Sequence, residues 1–222
     1  IDQLNSVVET NRAGHLGPGS VSYYNFAMTL HNVPIMLIGT SISTAVFPRL
    51  SERLSQNRPD LFRRDFLRIW RIMIWLALPT VVVCYFCRGY FARILYGQAA
   101  PPVALIFGFL SGAIFFRICY SILSRYFYAQ KDTRTPLYVS LFAIALNIVL
   151  AFTLARPESY GLAGLAIAQS LVAFAEVVIL VAVMLWRDHR LLDKEFWGGV
   201  LRILSVTGFT IVAAFTMISI FP

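Results

Sequence analysis

Six long apolar runs separated by short charged gaps constrain this chain more than any other feature. They cover approximately residues 20–47, 72–87, 103–124, 137–155, 162–186 and 196–221. Each is near the ~20 residues that a helix needs to cross a hydrocarbon core. A backbone in lipid must satisfy its own N–H and C=O groups, so such runs are helices. Only 14% of the 222 residues are charged, where an average soluble domain has about 25%. A soluble protein with so few charges would expose wide apolar patches. The chain therefore reads as all-α, a polytopic membrane helix bundle of about six full transmembrane helices plus the tail of one more. That tail is IDQLNSVVETNRA at residues 1–13, broken off by Gly14, Gly17, Pro18 and Gly19.

The formal charge of +8 does not point to nucleic acid, because the cations sit in the gaps and not on a soluble face. Fourteen of the nineteen fall on one side of the implied membrane: Arg49, Arg53, Arg58, Arg63, Arg64, Arg68, Arg71, Arg125, Lys131, Arg134, Arg187, Arg190, Lys194 and Arg202. Arg12, Arg88, Arg93 and Arg156 fall on the other side, and Arg117 lies inside the third run. The excess of cations marks the cytoplasmic face. Residues 48–71 carry the densest cluster. Their second part is amphipathic, with Leu61, Phe62, Phe66 and Ile69 on one face and Arg63, Arg64 and Arg68 largely on the other. It is expected to lie among the headgroups, against anionic lipid, before the chain turns inward. Residues 88–102 read as a short interfacial connector with Tyr90, Phe91 and Tyr96 at headgroup level. Pro34 predicts a kink in the first span.

No phosphate-binding loop, catalytic triad or metal-ligand cluster is visible, so neither an enzyme nor a cofactor is expected. Cys84 and Cys87 have CxxC spacing, but no second ligand pair accompanies them. With Cys119 they read as inert thiols within apolar runs. His15 and His189 read as solvated connector residues, and Gly198-Gly199 as a site of close helix packing. Polar residues inside spans are the candidates for function. Thr29, His31 and Asn32 form a patch before Pro34 that either lines a cavity or bonds between helices. Asn147 has the same two readings. Glu176 must be protonated, paired or wetted by a cavity. Arg117 is either a cavity cation or the partner of Glu176.

One gap carries a pattern of its own. FYAQKDTRTP, residues 127–136, joins the third and fourth spans on the cytoplasmic side. Asp132-Thr133 favours a turn, and Pro136 sits where a helix start tolerates a missing N–H. The stretch, through Phe127, Tyr128, Asp132, Thr135 and Pro136, resembles the hairpin of the MurJ/MviN family of lipid II flippases, within the multidrug and oligosaccharidyl-lipid exporter superfamily. Further agreement comes in order along the chain. It includes Gly19-Ser20-Val21-Ser22, Phe26-Ala27, Leu30, Pro34, Gly39-Thr40, Phe47-Pro48-Arg49-Leu50-Ser51, Asn147, and Tyr160-Gly161-Leu162-Ala163-Gly164-Leu165-Ala166.

The resemblance implies fourteen helices in two lobes, with residues 1–222 running from the end of the seventh helix through the thirteenth. It thus implies a second-lobe membrane domain without its first lobe or last helix. That fits a chain that starts at Ile1 and stops at Pro222 directly after an apolar run. It implies outward flipping of a lipid-linked peptidoglycan precursor across a bacterial inner membrane by alternating access. The partners would be that precursor, membrane lipids and the N-terminal lobe of the same chain, with coupling to the membrane potential or a monovalent cation. One departure stands out. Where the family has Tyr-Ala-Asp-Arg-Leu, this chain has Phe26-Ala27-Met28-Thr29-Leu30, so Thr29 replaces a cavity arginine. That departure keeps two alternatives in view. One is export of another lipid-linked oligosaccharide or a drug cation, and the other is a non-transporting scaffold of cell-wall assembly.

Overall fold

The computed structural model describes residues 2–15, 17–155, 160–188 and 194–220. Arg156, His189 and Arg190 of the charge pattern and connectors lie outside the described residues. Helix α1 spans Asp2–Gly14. From Ser20 a single helical stretch runs to Ser55, and Pro34 divides it. It consists of α2 (Ser20–Pro34), a π-helical turn (Ile35–Thr40) and α3 (Ser41–Ser55). Proline lacks the N–H for the helix ladder and crowds the preceding turn. The wider π turn absorbs that defect, so the expected kink is a local unwinding with no break. The Ser41 hydroxyl donates to the Met36 carbonyl at 2.8 Å, bonding a carbonyl within the wide turn.

Helix α4 spans Pro59–Phe86, with proline in its first turn. Here the structure departs from the expectation. The amphipathic segment does not lie apart among headgroups, because it forms the first turns of the same 28-residue helix as the second span. Its apolar face finds protein in place of lipid. Phe62 and Phe66 pack on Tyr126 at ring-centroid distances of 5.3 and 4.7 Å, and Trp70 packs on Phe196 at 5.0 Å. Asp65 is buried on that side and accepts bonds from the Arg49 and Arg53 guanidinium groups at 3.2 and 3.3 Å.

The expected connector at 88–102 is mostly helical. Helix α5 (Arg88–Tyr96) and a 3₁₀ turn (Gly97–Ala99) lead directly into α6 (Ala100–Ala129). Then come α7 (Arg134–Leu154), α8 (Gly161–Arg187) and α9 (Lys194–Ile220). No strand occurs among the described residues. Among the described residues, five stretches are long and apolar enough to cross a membrane: Ser20–Ser55, Pro59–Phe86, Arg88–Ala129, Arg134–Leu154 and Gly161–Arg187. In the sixth run, the described residues give a shorter apolar helix, Gly198–Ala213. The chain is a multi-pass membrane protein.

Apolar residues on every side make α6 the central helix. Phe107, Leu110, Ile114, Ile118, Ile122 and Leu123 are fully buried along it. Helices α2, α3, α4, α5 and α8 pack around it. On α7, Leu137, Tyr138, Leu141, Phe142, Val149 and Phe152 are exposed. In water that apolar face would be costly, and in a bilayer it meets hydrocarbon.

Candidate functional site

Five helices converge on a buried polar cluster. Residues 169 and 176 lie seven apart on α8, two turns along one face. That face turns inward, so both Gln169 and Glu176 are buried. Arg117 on α6 donates to Glu176 Oε2 at 2.8 Å and to Gln169 Oε1 at 3.1 Å. Gln169 in turn donates to Glu9 Oε1 on α1 at 2.6 Å. Asn147 Nδ2 on α7 donates to the same oxygen at 2.8 Å. The Tyr24 hydroxyl on α2 donates to Glu9 Oε2 at 2.9 Å. A buried carboxylate left without partners costs several kcal/mol, so each of these contacts constrains where its helix sits. The arginine is the least enclosed member, its side chain 24% exposed against 5% for Glu176.

The candidates near Pro34 separate. Thr29 and Asn32, three residues apart, share an exposed face of α2. His31 turns the other way and is buried, with Nδ1 lacking a hydrogen-bond partner among the described residues. Asn25, Thr29 and Asn32 on α2 are exposed, as are Thr40 at the end of the π turn and Ser41 and Thr44 on α3. Val33, Met36 and Leu37 lie exposed between these two groups. The Arg125 guanidinium on α6 reaches this surface, donating to Thr44 Oγ1 at 3.4 Å.

The hairpin is built from backbone rules. Lys131 takes a positive φ of 60°. The N–H of Lys131 bonds the Tyr128 carbonyl, and the N–H of Asp132 reaches back to Phe127, each at 3.0 Å. This double closure ends α6 by satisfying its last carbonyls. Asp132 then starts α7. Its Oδ1 accepts the backbone N–H groups of Arg134 and Thr135 at 3.1 Å, and its Oδ2 accepts the Thr135 hydroxyl at 2.6 Å. Pro136 follows in the first turn, where its missing N–H has no partner to lose. Arg187 of α8 pairs with Asp132 at 2.7 Å and Arg63 pairs with Asp188. The hairpin, the start of α4 and the end of α8 therefore meet at one end of the bundle. Partial burial pushes the Asp132 carboxyl up. The Thr135 hydroxyl and backbone bonds, with the Arg187 guanidinium, outweigh it and hold the group down at about 2.

Sequence reasoning brought Arg117, Asn147 and Glu176 forward, and the structure gathers them. It missed Glu9, Tyr24 and Gln169. Gln169 carried a usable signal, a polar side chain within the fifth apolar run. Glu9 carried none, because its segment is polar and reads as the tail of a helix whose apolar start is missing. Cys84, Cys87 and Cys119 are free thiols, the first and last buried.

A family model described as lipid II flippase MurJ matches residues 1–222. A Rhizobium meliloti protein named probable lipid II flippase MurJ is 25% identical over 223 residues, covering 98% of this chain and 40% of its own length. A Helicobacter pylori protein of the same name is 29% identical over 176 residues, covering 76% of this chain and 38% of its own length. A solved structure, "Lipid II flippase MurJ, inward closed conformation", aligns with a TM-score of 0.73 at 22% identity. The alignment covers 98% of this chain and 52% of that one, and shows the shared fold. The chain spans about two fifths of the length of the curated relatives it matches.

Proposed function

The chain belongs to the lipid II flippase MurJ family, a transporter family and not an enzyme family, and on that premise we propose that residues 1–222 form the second lobe of a lipid II flippase of the bacterial inner membrane. The observation that carries the reading is the exposed polar surface of α2 and α3. Asn25, Thr29, Asn32, Thr40, Ser41 and Thr44 stand open on a stretch whose hydropathy is that of a membrane span. Polar side chains at membrane depth face a wet cavity or another protein surface in preference to lipid. Such a wall suits the sugars and peptide of a lipid-linked precursor, with Arg125 as a cation toward its diphosphate. The remainder of the protein supplies the opposing lobe. Alternating access then needs no bond to be broken, only exposure of the cavity to each side in turn, driven by the membrane potential or a monovalent cation.

A second reading rests on Thr29. A neutral residue at the position of a cavity arginine favours a less anionic cargo, such as a different lipid-linked oligosaccharide or a drug cation. One experiment separates the two. The full-length protein is expressed in a bacterium depleted of its own lipid II flippase, and the lipid II that reaches the outer leaflet is measured. Growth with restored translocation supports the first reading. Stable expression without translocation sinks it.

A further inference from the structure

Toward the cation-rich end of the bundle, the polar wall of α2 and α3 runs into an open cleft of about 730 Å³. Ser51, Glu52 and Ser55 at the end of α3 line one side, and Tyr128, Gln130 and Lys131 of the hairpin line the other. That volume falls within the ~300–1,000 Å³ of small-molecule sites. Wall and cleft share one helix face, because Ser41, Thr44, Pro48, Ser51 and Ser55 follow one another at three or four residues. The Arg125 guanidinium stands where the two meet. It donates to Thr44 and lies 5.4 Å from the Phe47 ring and 6.0 Å from that of Tyr128. The lining of the cleft carries one charge of each sign. Arg49 and Arg53 turn away to Asp65, so Glu52 is the charged side chain that α3 gives to the cleft. It accepts the Gln56 amide at 2.9 Å and pairs with no cation among the described residues. Lys131 pairs with no carboxylate among them, and its neighbour Asp132 is taken up by Thr135 and Arg187. A carboxylate and an ammonium thus line one cleft without pairing with each other.

We propose that this cleft is a subsite for the peptide of the lipid-linked cargo, with Glu52 toward a free amine and Lys131 toward a free carboxylate. The subsite rests on the flippase reading above and adds to it which arm of the cargo this lobe selects. From Pro48 to Ser55 is seven residues, about 10.5 Å along the helix. About three extended peptide residues cover that length. Pro48, Leu54 and Ala129 offer apolar contact to their side chains. Such a peptide lies along the end of α3 while the diphosphate meets Arg125. Glu52 and Lys131 are both exposed, so water screens each contact and neither holds the cargo tightly. Their work is discrimination between cargoes, with release kept easy.

The test uses full-length protein in proteoliposomes and three synthetic lipid-linked disaccharides. One carries a peptide with a free amine and a free carboxylate, one has that amine acetylated, and one has no peptide. Initial translocation rates give a half-saturating concentration for each. The wild type should need about fivefold more of the acetylated cargo than of the free-amine cargo. Glu52→Gln should raise the free-amine value about fivefold and leave the acetylated value unchanged. Lys131→Asn, which tolerates the positive φ, should raise both. Ser55→Cys, in a protein otherwise free of cysteine, should be shielded from a maleimide by the free-amine cargo and not by the peptide-free one. Wild-type values indifferent to the peptide overturn the subsite. So does a Glu52→Gln effect of equal size on the acetylated cargo. So does a Ser55→Cys shielded before any cargo is added, which gives the cleft to the rest of the protein. Each of these leaves translocation, and with it the flippase reading, standing. A wild type that translocates none of the three cargoes takes both down.

Discussion

Arg117 is the one cation of the buried cluster among the described residues, and its geometry sets what its loss must do. It holds Glu176 directly and Gln169 through its second nitrogen. Replacing it with leucine leaves Glu176 buried without its guanidinium, a loss on the order of 3 kcal/mol. The single variant should unfold at a clearly lower temperature in detergent. Replacing both partners, Arg117→Leu with Glu176→Leu, removes both desolvated charges and should recover most of that loss. The double variant then isolates function from stability. It is expected to be stable and inactive in translocation, whereas normal activity would make the pair a packing device. This pair was legible in the sequence because charges inside apolar runs have few alternatives. Glu9 was not legible. Its partners Tyr24, Asn147 and Gln169 are 15, 138 and 160 residues away, and no local periodicity announces contacts at that distance.

At the scale of elements, two junctions carry sharp expectations. Asp132 caps α7 with bonds that require an ionised carboxylate. Its folded value of about 2 lies below the ordinary range of an aspartate carboxyl. The capping contribution is therefore complete above about pH 4 and is lost as pH falls toward 2. Asp132→Ala should cost about 1 kcal/mol at neutral pH. Hydrogen exchange at the start of α7 should rise in that variant, and its acid dependence in the same window should disappear. The second junction is Gly164. A Cβ built there would lie 2.2 Å from the Leu154 carbonyl oxygen, so α8 passes the end of α7 closer than any other residue allows. Gly164→Ala should destabilise by about 1–3 kcal/mol, visible as a lower unfolding temperature with transport lost in proportion to folded protein. The hairpin's existence and side were readable from charge and turn residues. The continuity of α4 was not. Its first turns resemble a headgroup helix until Tyr126 and the two arginines on Asp65 are seen to occupy the inward face.

For the whole molecule, the described residues present two kinds of exposed surface, and the two suit different media. The α7 face of Leu141, Phe142 and Val149 is apolar, and the α2 face of Asn25, Thr29 and Asn32 is polar. Lipid cannot solvate the second, and water would be costly on the first. Single cysteines in a full-length protein with Cys84, Cys87 and Cys119 replaced by alanine test this directly. Thr29→Cys should react with a membrane-impermeant maleimide, because the reagent enters a wet cavity. Phe142→Cys should stay unreacted until the membrane is dissolved. Lys131→Cys tests the orientation, since the cation asymmetry predicts a cytoplasmic hairpin. It should react in inside-out vesicles and not in intact cells. Labelling of Lys131→Cys in intact cells would invert the topology. Labelling of Phe142→Cys with Thr29→Cys silent would turn the lobe around. The polar face would then belong to a protein contact and not to a path for cargo.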